Sequence, residues 1–159
     1  MQRRARPAEI LVALALVAII VVAALHLRGG GSARVVADPV RTPGVLNPDV
    51  MQANIRSTIC RRGWTATVRP PVDYTNALKR KQMRAYAETG PLSGYQEDHL
   101  ISLELGGNPT DPRNLWPEPY PRAREVDQVE NQLNADVCSG RLTLAEAQQQ
   151  ESNLKHRDG

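Results

Sequence analysis

The sequence predicts a small α+β domain carried behind an apolar N-terminal segment. Three observations predict this class: one continuous apolar run near the N-terminus, several stretches with the period of amphipathic helices, and short stretches that alternate apolar and polar residues. The length of 159 residues suits one such domain plus an anchor. Because the chain has no Phe and only 4% aromatic residues, we expect a largely aliphatic core.

The N-terminus has the pattern of a segment that inserts into a membrane. Residues 1–7 form a basic leader with three Arg, and residues 8–27 are almost continuously apolar. About twenty helical residues span roughly 30 Å, which is enough for a bilayer core. The basic leader predicts a transmembrane signal anchor with the C-terminal domain outside the cytoplasm. The alternative is a cleaved signal peptide that ends near residues 35–37, which would release a secreted domain.

A linker and a first helix are predicted next. Residues 28–46 are rich in Gly, Pro and small residues and predict a flexible linker before a domain that spans 47–159. Asn47, Pro48 and Asp49 have the pattern of a helix N-terminus. Apolar residues then recur every fourth position, at Met51, Ile55 and Ile59. This spacing predicts a helix with one buried stripe that ends at Gly63.

A strand and a second helix are predicted before the centre of the chain. Residues 64–68 alternate apolar and polar side chains, which predicts a strand that stops at two prolines. Thr75 has the character of a helix cap, and the helix would run towards Gly90. Basic side chains on this helix predict a contact with phosphate, or else a merely solvated face. They are Lys79, Arg80, Lys81 and Arg84.

Two helices are predicted after the centre. The first carries one apolar stripe and ends at Gly140. Its apolar residues are Val126, Val129, Leu133 and Val137. Residues 143–146 have the pattern of a capping box and open a last helix, after which the polar tail from residue 148 onward is expected to fray. The chain has two cysteines, Cys60 and Cys138, which in an exported domain predict a disulfide; ligation of a metal by the pair is the alternative.

Charge is unevenly distributed along the chain. The formal net charge of +3 belongs wholly to residues 1–40, because basic and acidic residues are equal in number over 41–159. Residues 56–84 hold eight basic residues and one acidic residue, whereas residues 88–136 hold ten acidic residues and three basic ones. A basic half beside an acidic half suits a metal-dependent enzyme that acts on a polyanion, or else two halves that pair with each other.

The stretch 95–131 concentrates the side chains that could carry chemistry. They are Glu97, Asp98, His99, Asn114, Asp127, Glu130 and Asn131. An alternating apolar run at residues 101–105 and a turn at Gly106 and Gly107 separate the two ends of this set. Carboxylates, carboxamides and one imidazole on a strand–loop–helix frame can hold a hard divalent cation beside a general base.

This stretch resembles the signature of the HNH nucleases, whose fold is the ββα-metal fold. The resemblance lies in Asp98 and His99, the two glycines, and Asn114 followed by Leu, fifteen residues after His99. More narrowly, the stretch is similar to small exported bacterial HNH-like proteins with an EDH…LELGG…NLWPEP pattern. The resemblance implies a ββα-metal core with additional packed helices.

The resemblance also implies roles for particular residues. His99 would be the general base that activates water, and Asn114 would orient His99 by a hydrogen bond across the loop. Asp98 would ligate the metal, with Asp127 or Asn131 completing the protein ligands. Oxygen ligands of this kind favour Mg²⁺ or Mn²⁺.

The chain departs from the HNH pattern on the helix that follows Asn114. No His occupies the position that supplies the last ligand in the family, so the second ligand would be Asp127, Asn131 or Glu130, or would be absent. Glu118 is open as a further ligand, although it could equally serve only in packing.

We therefore expect a metal-dependent endonuclease that hydrolyses phosphodiester bonds of DNA or RNA outside the cytoplasm. Low sequence specificity is expected because no groove-reading motif is present. The alternative is a non-catalytic, membrane-anchored envelope module that keeps an HNH-like frame for binding a partner.

Overall fold

A computed structural model describes residues 35–158 of the chain. The predicted leader, membrane segment and first part of the linker lie outside the described residues. Within residues 35–158 the fold is α+β, with four α-helices and one antiparallel sheet of two strands. No helix in this part of the chain is both long and apolar enough to cross a bilayer.

In chain order the helices and strands are α1 (Trp64–Val68), α2 (Val72–Ala85), β1 (Tyr95–His99), β2 (Leu115–Pro119), α3 (Arg122–Ser139) and α4 (Leu144–Arg157). Short 3₁₀ turns lie at Gln52–Asn54, Leu92–Gly94, Leu103–Leu105 and Pro112–Asn114. Helix α2 packs on both strands, and α3 packs against α4.

Residues 35–46 pack on the domain, although they belong to the predicted linker. Ala37 and Thr42 are completely buried, and the Ala37 N–H donates to the carbonyl of Lys155 at 3.0 Å. Leu46 forms an isolated bridge with Gly107. The folded part of the chain therefore begins before residue 47.

Two predicted elements upstream of the sheet are wrong. The predicted helix over 47–63 is a 3₁₀ turn at Gln52–Asn54 followed by further turns. The four-residue spacing of apolar side chains identified two core residues but not the conformation: Ile55 and Ile59 are buried in the core, whereas Met51 is exposed. The predicted strand over 64–68 is helix α1.

The period of α1 explains the second error. Trp64 and Val68 are four residues apart, and both pack in the core cluster, whereas Ala66 between them is exposed. A five-residue stretch is too short to separate a period of two from a period of 3.6 when its two large apolar residues stand at its ends. Helix α2 is helical as predicted, but it begins at Val72 and not near Thr75.

The two glycines at the centre make a turn that no larger residue would fit. Gly106 has φ of +76°, and an added Cβ would lie 2.6 Å from Val50 Cγ1. At Gly107 an added Cβ would lie 1.7 Å from the carbonyl oxygen of Ile101. The predicted turn is present, but the alternating run before it is a buried 3₁₀ turn, Leu103–Leu105, and not a strand.

The aliphatic core joins the N-terminal turns to the C-terminal helices. It contains Val50, Ile55, Ile59, Trp64, Ile101, Leu105, Leu133, Val137, Leu144 and Ala147. The predicted disulfide between Cys60 and Cys138 is present, and Cys60 packs against this cluster. Of the predicted α3 stripe, only Val129 is exposed.

Helix α4 is longer than predicted. The capping box at its start is present, with the Glu146 N–H donating to the Thr143 hydroxyl and the Glu146 carboxylate accepting from the Thr143 N–H. The polar tail that was expected to fray continues as helix to Arg157. It buries two charged residues completely, Glu151 and Lys155.

Candidate active site

His99 stands at the end of β1, where one ring nitrogen is held by the backbone. Its Nε2 lies 3.1 Å from the carbonyl oxygen of Pro109. Because a carbonyl only accepts, Nε2 carries the hydrogen, and Nδ1 keeps a lone pair with no hydrogen-bond partner among residues 35–158. Burial lowers the pKa of His99, outweighing the opposite effect of Asp98, so the ring is neutral at neutral pH.

Asn114 clamps the loop that joins the two strands. Its side chain is completely buried, and Oδ1 accepts from the N–H groups of Ile101 at 3.0 Å and Val45 at 3.3 Å. Its Nδ2 donates to the carbonyls of Ile101 and Asn108, each at 3.0 Å. All the hydrogen bonds that the carboxamide can make are therefore made to backbone groups.

The predicted hydrogen bond from Asn114 to His99 is therefore wrong. Asn114 fixes the carbonyl of Asn108, and the next residue, Pro109, supplies the carbonyl that holds His99. The carboxamide positions the imidazole only through this loop. The sequence identified the two residues but could not show that backbone groups separate them.

Asp98 points to the opposite face of β1, because successive side chains on a strand alternate. There the ammonium of Lys155 donates to Asp98 Oδ2 at 2.7 Å, to Glu130 Oε1 at 2.6 Å and to the carbonyl of His99 at 2.5 Å. Glu151 Oε1 lies 3.4 Å from the same nitrogen. We call Asp98, Glu118, Glu130, Glu151 and Lys155 the buried ion cluster.

Lys155 is charged in this cluster. Burial lowers the pKa of Lys155, but the carboxylates of Asp98, Glu130 and Glu151 outweigh burial and hold the pKa well above its usual value. Burial likewise raises the pKa of Asp98, but the ammonium of Lys155 and a hydrogen bond from Glu118 bring it down to about 2. Asp98 and Lys155 therefore form an ionised pair away from water.

Glu118 balances the charge of the cluster by holding a proton. The side chain is completely buried, and neither oxygen meets a donor among the described residues. Burial raises the pKa of Glu118 to about 9, and the neighbouring Asp98 carboxylate adds to the shift. A protonated Glu118 supplies the hydrogen for its contact with Asp98, which two ionised carboxylates could not do.

Glu97 shares the His99 face of β1 and is also a shifted carboxyl. Its two oxygens are buried and have no hydrogen-bond partner in residues 35–158. Burial raises the pKa of Glu97 to about 8, although the ammonium of Lys79 on α2 acts in the opposite direction. At neutral pH this face of the strand therefore carries a neutral imidazole and a largely protonated carboxyl.

The two predicted ligands on α3 behave differently. Asp127 lies near Asp98, since the Gln96 carboxamide donates to Asp98 Oδ1 at 3.1 Å and is also hydrogen-bonded to Asp127. Asn131 is exposed, and its Nδ2 donates to the carbonyl of Asp127 on its own helix at 2.7 Å. Asn131 does not converge with the other predicted ligands. Glu130 is the α3 residue that reaches the cluster.

The predicted ligand set does not fit Mg²⁺ or Mn²⁺ at Asp98 in this arrangement. One Asp98 oxygen is held by an ammonium and the other by the Gln96 amide. Mg²⁺ needs oxygens at about 2.0–2.1 Å, so a metal would have to displace one of these donors. Within residues 35–158 no three His, Cys, Asp or Glu side chains are arranged to hold a metal ion.

The predicted basic face on α2 is partly free. Arg80, Lys81 and Arg84 are exposed, whereas Lys79 donates to the carbonyl of Tyr95 at 2.9 Å. Among the described residues, none of the ion pairs uses a basic residue from 56–84. The basic and acidic halves of the chain therefore do not neutralise each other through direct ion pairs.

Sequence reasoning missed Lys155 and Glu151. A signal for them exists, because Leu144, Ala147, Glu151 and Lys155 follow the three- and four-residue spacing of one helix face. All four are buried. Charged residues that continue an apolar stripe at helical spacing could have indicated a buried pair.

Comparison of the chain with protein-family models, with curated proteins and with solved structures finds no match.

We predict that Asn114→Ala lowers the free energy of unfolding by roughly 3 kcal/mol, because buried backbone donors of the loop lose their partner. Denaturant unfolding of the full chain measures the change. Asn131→Ala is the matched control and should change stability by less than about 0.5 kcal/mol, since its side chain is exposed. Equal losses in the two variants would contradict the clamp.

We predict that Glu118→Gln stabilises the protein at alkaline pH. A carboxyl whose pKa rises from 4.5 to about 9 on folding binds more protons in the folded state. The free energy of unfolding therefore falls as pH rises through this window, and Gln removes that loss, on the order of a few kcal/mol by pH 9. Thermal unfolding from pH 5 to 9 measures it.

The exposed carboxylate of Glu125 on α3 offers a control for this measurement. Glu125→Gln should change the free energy of unfolding by less than about 0.5 kcal/mol, because the residue is exposed. A residual fall with pH in Glu118→Gln is expected from Glu97 and Glu130, because burial raises the pKa of both carboxyls. A Glu118→Gln variant whose pH profile parallels that of the unmodified protein would mean that Glu118 is ionised in the folded state.

Proposed function

We propose that the domain hydrolyses phosphodiester bonds of nucleic acid, with His99 as the general base. The observation that carries the proposal is the imidazole of His99, which is neutral, fixed through Nε2, and left with a free lone pair on Nδ1. A neutral imidazole with a free lone pair, held by a rigid loop, is what water activation requires. The order β1, clamped loop, β2 and α3 supports an HNH-like ββα core.

The proposed step uses the face of β1 opposite the ion cluster. Nδ1 of His99 accepts a proton from water while the water oxygen attacks the phosphorus, and the P–O bond to the leaving oxygen breaks. The imidazolium that forms is stabilised by Asp98 next in sequence, whose charge favours the protonated ring. The leaving oxygen departs as an alkoxide and takes its proton from surrounding water, since none of the residues 35–158 is assigned as its donor.

A nucleic-acid substrate is supported by the exposed cations of α2. Arg80, Lys81 and Arg84 have no carboxylate within ion-pair distance in the described part of the chain, so they are available to phosphates. Helix α2 packs on the strand that carries His99. Phosphate contacts of this kind position a backbone without reading its sequence, which supports low specificity.

An extracytoplasmic location is part of the proposal. The disulfide between Cys60 and Cys138 is typical of proteins that fold in an oxidising compartment. The predicted membrane anchor at residues 8–27 would hold the domain there, and signal cleavage would instead release it. The requirement for Mg²⁺ or Mn²⁺ that the resemblance implies stays a prediction.

A second candidate function is a non-catalytic envelope module that binds a partner. The observation that favours it is the ammonium of Lys155 at the carboxylate that would ligate a metal. Because Lys155 neutralises Asp98, the fold could be retained for its stability without any catalytic role. The two candidates differ in one measurable property, which is cleavage that depends on His99.

We predict that the full-length, oxidised chain in detergent degrades plasmid DNA or RNA, and that His99→Ala reduces the rate by at least about 100-fold. Parallel reactions with Mg²⁺, Mn²⁺ or EDTA test the metal requirement separately. His156→Ala is the matched control, since its imidazole Nε2 donates to the Thr42 carbonyl away from His99. A folded protein that cuts neither substrate in any of the three conditions would favour the envelope module.

We predict that Arg80→Gln/Arg84→Gln weakens binding to single-stranded nucleic acid and lowers the slope of log Kd against log salt concentration by about 1–2, because each cation releases counterions from one phosphate. Fluorescence anisotropy in increasing salt measures this, with His99→Ala as the background to prevent cutting. Arg141→Gln/Arg157→Gln removes the same charge from elsewhere. If both pairs shift the slope equally, α2 is not the contact surface.

A further inference from the structure

We infer that Lys155 is the built-in cation of the acidic cluster, so that helix α4 and not a divalent metal ion holds the end of β1. The inference concerns how the chain satisfies Asp98, and it does not rest on the proposed cleavage. It follows from the disagreement between the ligand set that the HNH resemblance implies and the contacts that Asp98 makes.

The first argument is the geometry around Lys155 Nζ. An ammonium has three hydrogens, and three oxygens lie close to it: the His99 carbonyl at 2.5 Å, Glu130 Oε1 at 2.6 Å and Asp98 Oδ2 at 2.7 Å. Glu151 Oε1 follows at 3.4 Å. Lys155 is completely buried, and these oxygens come from three elements of the fold: β1, α3 and α4. Such a cage is what a bound cation would require.

The second argument is charge. A divalent ion on Asp98 would lie within a few ångströms of the Lys155 ammonium, and two cations at that separation in a desolvated site repel strongly. The oxygens that would face such an ion, from Asp98, Glu130 and the His99 carbonyl, already accept hydrogen bonds from the ammonium. The cluster therefore does not need a second cation.

The third argument is that α4 delivers the ammonium in a fixed position. The Glu151 carboxylate, one turn before Lys155, accepts from the Ser102 N–H with both oxygens at 3.0 Å. Gln148 Nε2 donates to the Leu105 carbonyl at 2.8 Å. The carbonyl of Lys155 itself accepts from Ala37. These bonds tie the helix to the loop after β1 and to the N-terminal segment at Ala37, so the ammonium is held in place before any ligand arrives.

The test measures Mn²⁺ binding and not activity. Full-length chain in detergent, with the disulfide intact, is titrated with Mn²⁺, and free Mn²⁺ is followed by electron paramagnetic resonance. Thermal unfolding is measured with millimolar Mn²⁺ and with EDTA. The variants are Asp98→Asn, Lys155→Ala and Lys155→Ala/Asp98→Asn, with Lys81→Ala as an exposed lysine control.

The unmodified protein and Lys81→Ala should bind no more Mn²⁺ than Asp98→Asn does. Each should have the same Tm in Mn²⁺ as in EDTA. Lys155→Ala should unfold at a lower temperature in EDTA, gain about one Mn²⁺ site per chain, and recover several degrees of Tm in Mn²⁺. The double variant should lose that site, because Asp98 would be one of its ligands.

Two results would overturn the inference. One is a Mn²⁺ site in the unmodified protein that Asp98→Asn abolishes, which would mean that a metal binds although Lys155 is present. This comparison decides the matter even if Lys155→Ala does not fold. The other is a folded Lys155→Ala that gains no Mn²⁺ site. Neither result depends on whether the protein cuts nucleic acid, so failure of the proposed nuclease would be seen separately.

Discussion

The buried ammonium of Lys155 is the interaction on which the architecture depends. Removing an ion from water costs several kcal/mol, and the loss is offset only where geometry and hydrogen bonding are complete. Here one nitrogen joins the end of β1, the middle of α3 and its own helix α4. Loss of one partner of such a buried pair typically destabilises a protein by about 3–5 kcal/mol. The position of the C-terminal helix and the shape of the strand end are therefore set together.

Because side chains alternate along β1, the residue that binds Lys155 lies on one face of the strand and the proposed base lies on the other. Asp98 faces the ammonium, while His99 faces the loop and Glu97 faces α2. The two sides are not independent, because the carbonyl of His99 is itself a partner of Lys155. The ammonium fixes the backbone of the residue whose side chain is the proposed base. Rigid support of that backbone is what keeps the imidazole aligned with the Pro109 carbonyl.

How much the sequence predicted depended on how local each feature is. The glycine turn and the capping box of α4 rest on short-range chemistry and were predicted. The disulfide was predicted across 78 residues because the chain has only two cysteines. Asp98 and His99 end β1 and Asn114 directly precedes β2, but their side chains do not contact one another. The predicted helix over 47–63 and strand over 64–68 are wrong because the spacing of apolar residues indicates which residues are buried and does not by itself fix the backbone conformation. Asn114 and Lys155 act through partners that are distant in sequence and that only the tertiary fold brings close. Asn114 accepts from the Val45 N–H, and Lys155 binds Asp98, which is 57 residues away.

Because Lys155 is part of the chain, the buried ion cluster can hold the strands and helices together whether or not the site is catalytic. In a site that depends on a metal, the acidic residues beside the base lose their charge balance when the metal leaves, so stability and catalysis fall together. In this chain Asp98 is balanced by Lys155, and Glu118 by its proton. On the inference drawn above, the buried ion cluster folds without a bound ion. Substitutions of the side chains on the His99 face can therefore leave the contacts of the buried ion cluster in place, because Lys155 contacts only the backbone carbonyl of His99.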